Sequence, residues 1–234
     1  FAWRPLEVSD RLEFQIHQFL YFLPAEAFDA DFLLHFLENY HRHAEHITRH
    51  FSAKGNHLLF EAQRLVFAGV FFPEFRDADR WRGTGVEILN REIGEQVYDD
   101  GMQYELDLHY HHESIGIFFK ALQMMDANGY RGDFPAEYLA TVERMIEAYI
   151  DCSFPDYTTP LFSDNRFRER EELMPCYRAW AEVFPDNAAI RWMATEGREG
   201  AAPEHLSRAL RTSGFYVLRN GWEADASAMV LKAG

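Results

Sequence analysis

From Leu12 to Leu210 the apolar residues recur at helical spacing, in stretches separated by short turn signals. Phe32, Leu33, Phe36, Leu37 and Tyr40 share one helix face. Leu58, Ala62, Leu65 and Gly69 share another, and Trp81, Ile88 and Ile93 a third. The breaks fall at Pro24, Lys54-Gly55-Asn56, Phe72-Pro73, Asp99-Asp100-Gly101, Asn128-Gly129 and Pro135. This pattern predicts helices over 12–22, from a cap at Asp29 or Asp31 through His50, over 57–71 and over 77–97. Further helices are predicted from the Asp-Asp-Gly turn to Met125, over 136–150, and around 170–183, 188–193 and 203–210. An irregular segment with Pro155 and Pro160 interrupts them at 152–166. Helices joined by such short breaks lie antiparallel to their neighbours, as in a helical toroid or bundle. The period then changes. Ser213–Trp222 reads as a strand and turn and Ala226–Ala233 as a second strand, so a β-rich domain is expected over 213–234 after a helical domain over 1–212.

Charge excludes one class of partner. A formal net charge of −15 lacks the basic footprint that nucleic acid requires. An acidic polysaccharide is also repelled unless basic groups dominate the cleft. No apolar run reaches the ~18 residues of a membrane span, so membrane insertion is not expected. The start, Phe1-Ala2-Trp3-Arg4-Pro5, has no signal-peptide layout, and the chain stops within a strand-like run, so it reads as an excerpt of a longer protein. Cys152 and Cys176 lack a zinc spacing and are too few for a disulfide framework.

Polar chemistry concentrates between Asp99 and His112, where Tyr104, Glu105, Asp107, His109, Tyr110, His111 and His112 crowd together. Burying such density without partners is costly, so it is expected to line water or a ligand. A second stretch, Gly55-Asn56-His57-Leu58-Leu59-Phe60-Glu61, opens a helix with an amide and an imidazole. Asn56 also fits the plain role of a helix cap. Arg42, His46 and Arg49 fall on one helix face, either as a solvated basic surface or as a rim that attracts anions. His46 and His50 are four apart, but Ile47 stands where a zincin motif needs Glu.

Three segments together resemble the heparinase II/III-like polysaccharide lyases, and most closely the heparinase III type that cleaves heparan sulfate. They are Gly55-Asn56-His57 with Glu61, the run Phe72-Pro73-Glu74-Phe75-Arg76-Asp77-Ala78-Asp79-Arg80-Trp81-Arg82, and Asp100-Gly101 followed by Glu105, Tyr110 and His111. Gly214-Phe215-Tyr216-Val217-Leu218-Arg219 is similar to the strand that opens that family's β-sandwich. The resemblance implies an incomplete (α/α) toroid followed by an antiparallel β-sandwich, with an acidic glycosaminoglycan in the cleft. It implies that Asn56 and His57 neutralise a uronate carboxylate and that Tyr110 transfers protons. Arg4, Tyr104, Glu105 and His111 are expected to face substrate, although an ion-pair role holding the cleft competes for Glu105 and Glu61. No cofactor or metal is expected in this segment, and any divalent cation would belong to the β-domain beyond Gly234. A second catalytic group, commonly His, is also expected there. A periplasmic or secreted location follows from the resemblance alone.

β-Elimination explains the residue types. The C5 proton of a 4-linked uronate is weakly acidic while the adjacent carboxylate is charged, and hydrogen-bond donors at that carboxylate stabilise the enolate-like intermediate. An amide supplies two donors. A phenol is suited to protonate the leaving O4, and serves as base only where cations lower its pKa. An alginate or hyaluronate lyase would share this apparatus. With 23 basic against 38 acidic residues, a lightly sulfated polymer fits better than a heavily sulfated one. A glycoside hydrolase would need two carboxylates, for which Glu61 and Glu105 are the attractive pair. A non-catalytic sugar-binding protein would keep aromatic platforms without needing Tyr110.

Overall fold

The computed structural model describes residues 2–233. Their contacts divide them into two compact units, the first formed by residues up to 92 with 120–135, the second by 93–119 with residues from 136 onward.

The first unit contains α1 (Pro5–Phe22), α2 (Ala30–Arg49), α3 (Gly55–Phe71), most of α4 (Ala78–Gln96) and the end of α5 (Leu108–Ala127). Helix α1 begins seven residues before the expected start, because Pro5 stands at the first helical position, where its missing N–H is no loss. Asp29 caps α2 as expected, its carboxylate accepting from Phe32 N at 2.8 Å. Val8, Leu12 and Ile16 of α1 bury against Tyr40, Ala44 and Ile47 of α2 and against Leu65, Phe72 and Trp81. Aromatic rings close the end of this core, with Tyr40 edge-on to Phe72 at 4.7 Å and Phe75 tilted on Trp81 at 5.3 Å. Trp81 is fully buried and donates its indole N–H to Glu45, so it belongs to the core and offers no platform for sugar.

The second unit contains the start of α5, α6 (Ala136–Cys152), α7 (Arg170–Val183) and α8 (Ala188–Ala194). A three-stranded antiparallel sheet follows, β1 (Ser207–Leu210), β2 (Phe215–Arg219) and β3 (Ala228–Lys232), in the order β1-β2-β3. Two expectations are corrected here. The helix expected over 203–210 is instead strand β1, because residues 207–210 find partners in β2, Ser207 opposite Leu218 and Leu210 opposite Phe215. The helix expected to follow the Asp-Asp-Gly turn directly begins only at Leu108. Val97 and Gln103 form an antiparallel bridge across the turn, and Leu106 adopts a left-handed φ of +56°.

Side chains tie the sheet to the helices of its unit. Arg219 donates to the carbonyls of Asp151 and Ser153, at 2.8 and 2.9 Å, which satisfies acceptors at the end of α6. The same guanidinium lies 3.5 Å over the Trp222 ring. Asp100 holds the Asp-Asp-Gly turn to the β1–β2 connection, accepting from Ser213 N at 2.9 Å and Ser213 Oγ at 3.0 Å. Gly101 sits at φ +90°, and a Cβ there would meet the Arg144 carbonyl at 2.4 Å, so the turn admits only glycine. His111, fully buried, accepts from Gln103 N at 3.1 Å through Nδ1 and donates from Nε2 to the Met145 carbonyl at 2.9 Å. It therefore joins the turn, α5 and α6 as a neutral ring. No helix among the described residues is long and apolar enough to cross a membrane.

Two outcomes follow for stability. Asp100→Ala strands the buried Ser213 N–H and should lower the unfolding free energy by about 1–3 kcal/mol, read as a lower urea midpoint at constant slope. An unmoved midpoint would refute the clamp. Burial pushes His111 down to about 4. Because this lies below the unfolded value of roughly 6.5, the unfolded chain binds the extra proton. Its contribution is thus complete above about pH 6.5 and is lost as pH falls towards 4, by about 3 kcal/mol at the lower end. His111→Gln should flatten the stability–pH curve over that window. An identical slope in the variant would show that the ring does not titrate as described.

Candidate functional site

The first set of expected residues lies at the start of α3. Gly55 has φ +79°, a left-handed conformation that turns the chain sharply into the helix. The capping position falls on Lys54, which makes no side-chain cap bond, so Asn56 lies inside the first turn rather than capping it. Asn56 is partly buried and His57 exposed. The connection leading into them is held by Glu61, one turn further on. Its carboxylate is fully buried and accepts from Ser52 N at 2.7 Å and Ser52 Oγ at 2.6 Å, pinning the connection that leads into Gly55. Burial raises its pKa, with the Ser52 bonds opposing. Glu61 thus acts mainly through hydrogen bonds to a loop, with the His57 and Arg64 charges as weaker partners. It is placed as a positioning residue and is poorly suited to be half of a hydrolase's carboxylate pair.

The second set lies before and within the first turn of α5. Asp107 supplies the cap. Its Oδ1 accepts from His109 N at 2.7 Å and from Tyr110 N at 3.1 Å, while its backbone carbonyl accepts from His111 N at 2.8 Å. Tyr110 follows, partly buried. Tyr104 and Glu105 precede the helix in the loop closed by the Val97–Gln103 bridge. Tyr104 N donates to the Gln96 carbonyl at 2.8 Å and Glu105 N to Gln103 Oε1 at 2.9 Å. Tyr104 is partly buried and Glu105 exposed. His111, one residue beyond Tyr110, has both ring nitrogens committed to backbone groups, which leaves none for a sugar. Arg4, in the first unit, is exposed and paired with Glu7.

Sequence reasoning missed two residues of this second set. Asp107 stood within the helix expected from the Asp-Asp-Gly turn, so its role as the cap of a helix starting at Leu108 was hidden. Arg168 comes from the irregular stretch before α7, where no periodicity marks it. Its buried guanidinium donates to His109 Nδ1 at 2.6 Å and pairs with Glu113 at 2.5 Å. It thus grips α5 on either side of Tyr110. Accepting from arginine leaves His109 neutral, in keeping with a pKa lowered by burial and by the Arg168 charge. His112 is also neutral, pushed down to about 3 by burial, and packs against Tyr149 at 5.2 Å and Trp180 at 5.9 Å.

One group among the described residues has the composition of a metal site, His41, Glu45 and Asp77, whose ligand atoms lie within 4.8 Å of one another. Arg80 already pairs with both carboxylates, and Trp81 donates to Glu45, so a cation's place is taken by a guanidinium. Burial raises the Cys152 thiol well above its ordinary range, which makes it an inert core residue.

Known proteins share both sequence and architecture with this chain. A heparin-sulfate lyase of Bacteroides stercoris is 56% identical over 234 residues, covering all of this chain and 35% of the relative. A heparin-sulfate lyase of Pedobacter heparinus is 49% identical over 233 residues, with the same coverage of 100% and 35%. The chain therefore spans about a third of the length of the curated relatives it matches. Among solved structures, the Heparinase III-BT4657 gene product superposes with a TM-score of 0.93 at 56% identity, over 100% of this chain and 37% of that one. The heparan sulfate lyase HepC of Pedobacter heparinus gives a TM-score of 0.85 at 49% identity, over 100% and 37%. Residues 1–192 match the family described as Heparinase II/III N-terminus, and the chain belongs to that family.

Proposed function

We propose that this chain is the helical part of a polysaccharide lyase that cleaves 4-linked uronates of heparan sulfate by β-elimination. The observation that carries the reading is identity of 56% across the whole chain with a protein named heparin-sulfate lyase. In this reading Asn56 and His57 donate to the uronate carboxylate, and the Tyr110 hydroxyl exchanges protons with C5 and O4. Local geometry supports the assignment in two ways. Asn56 is not used as the cap of α3, and a buried Glu61 holds the connection before it in place. Tyr110 starts α5 on a cap that fixes its backbone N–H, with a neutral His109 ring 5.2 Å from its own.

The longer protein would complete an (α/α) toroid and continue β1–β3 into a sandwich that supplies the second catalytic group. Secretion or a periplasmic location fits a polymeric substrate that cannot enter a cell. Any divalent cation would be held by that second domain.

The test uses the full-length enzyme and the ultraviolet absorbance of the unsaturated product. Asn56→Ala should cut turnover by about 10²–10³-fold, the effect typical of losing one intermediate-stabilising donor. Tyr110→Phe keeps the ring and its packing while removing the hydroxyl, and should abolish cleavage next to glucuronate and iduronate alike. Circular dichroism establishes that both variants fold. A folded Tyr110→Phe enzyme with ordinary activity on a glucuronate-containing substrate would overturn the assignment.

A further inference from the structure

The outer side of α2 carries a recess of about 570 Å³ within the first unit. Trp3, His41, Arg42, Glu45, Arg49 and Arg76 are among its lining residues, and it shares none with the Gly55-Asn56-His57 turn. Its two carboxylates are already neutralised. Glu45 pairs with Arg49 and Arg80, and Asp77 with Arg80 and His41. Arg42 and Arg76 stand exposed and make no direct ion pair among the described residues, although the Arg76 charge is among those that hold Asp77 below its ordinary pKa. Two guanidinium groups outside any direct ion pair at one concavity are conspicuous in a chain of net charge −15, where 38 acidic residues would otherwise hold a polyanion away. Beside them Trp3 is 48% exposed, yet its ring is held by His43 and His46, each at 5.2 Å. A planar fork of donors matches the oxygens of a sulfate half-ester, and a fixed indole offers an apolar face with a polar edge to a sugar ring.

We propose that this recess is a sulfate subsite, with Arg42 and Arg76 on the half-ester of a glycosaminoglycan and Trp3 against the adjoining sugar. It rests on the reading of the protein as a glycosaminoglycan lyase and adds where the sulfated chain is gripped. The site reconciles an acidic protein with an acidic polymer. It selects for sulfate locally without making the surface generally basic.

The experiment measures binding and turnover separately on the full-length protein, wild type and R42Q/R76Q, with a heparan sulfate oligosaccharide and an unsulfated oligosaccharide of the same backbone. By calorimetric titration the double variant should bind the sulfated oligosaccharide about tenfold more weakly, from the loss of two charge-assisted contacts. The unsulfated ligand should lose less than twofold, so the preference for sulfate collapses. In turnover the same substitution should raise KM for the sulfated substrate with little change in kcat. Added salt should narrow the difference between wild type and variant by screening the exposed arginines. Equal loss on both ligands, or on neither, would overturn the subsite. A protein that cleaves heparan sulfate but is indifferent to R42Q/R76Q keeps the lyase reading and loses the recess. One that cleaves no uronate yet binds sulfated sugar through these arginines loses the lyase reading and keeps the recess.

Discussion

A single carboxylate oxygen sets where Tyr110 begins. Oδ1 of Asp107 accepts the backbone N–H of both His109 and Tyr110, so the first turn of α5 is defined by one buried acceptor. The same device recurs. Glu61 fixes the connection before Asn56 through Ser52, and Asp100 fixes the turn before Tyr104 through Ser213. Each places a carboxylate against a backbone N–H that would otherwise be orphaned, the arrangement in which buried charge is tolerable. The arrangement is not free of cost. Asp107 Oδ2 is buried without a partner among the described residues, and Glu61 is held above its ordinary pKa. The loops beside these candidate residues are stiffened by electrostatics, at some expense in stability.

Much of this organisation was legible in the sequence. Helical periodicity located α2, α3, α4 and α6 to within a few residues, and Asp29 announced its own helix. The failures have physical causes. Residues 203–210 have no local signal that distinguishes helix from strand, and pairing with β2 decides the matter. The segment after Asp99-Asp100-Gly101 looked helical, yet a bridge and a left-handed Leu106 hold it open until Asp107. For the candidate site, residue type singled out Asn56, His57 and Tyr110, whereas what Glu61 and His111 do depends on their partners Ser52 and Met145. Ser52 and Met145 carry no motif, and Arg168 sits where the pattern is irregular.

The imidazoles show why clustering alone does not identify chemistry. His109, His111 and His112 are consecutive or nearly so, and the structure gives them three different fates. His109 accepts from a buried guanidinium, His111 bridges two backbone groups, and His112 packs on aromatic rings. Burial keeps all three on the neutral side. A run that reads as three titratable groups thus contributes shape and hydrogen bonding, and leaves the neighbouring phenol as the outlier in the segment.

The sheet carries a constraint of a different kind. Along β2, Phe215, Val217 and Arg219 are buried and Tyr216 and Leu218 exposed. The register sets Tyr216 opposite Leu231 and Leu218 opposite Met229, so the outward face is also apolar. A strand pair with one wet face normally alternates apolar with polar residues. Apolar residues on both faces are the pattern of a sheet covered on both sides. A one-residue slip would exchange the faces without relieving either, so the register alone cannot hide this surface.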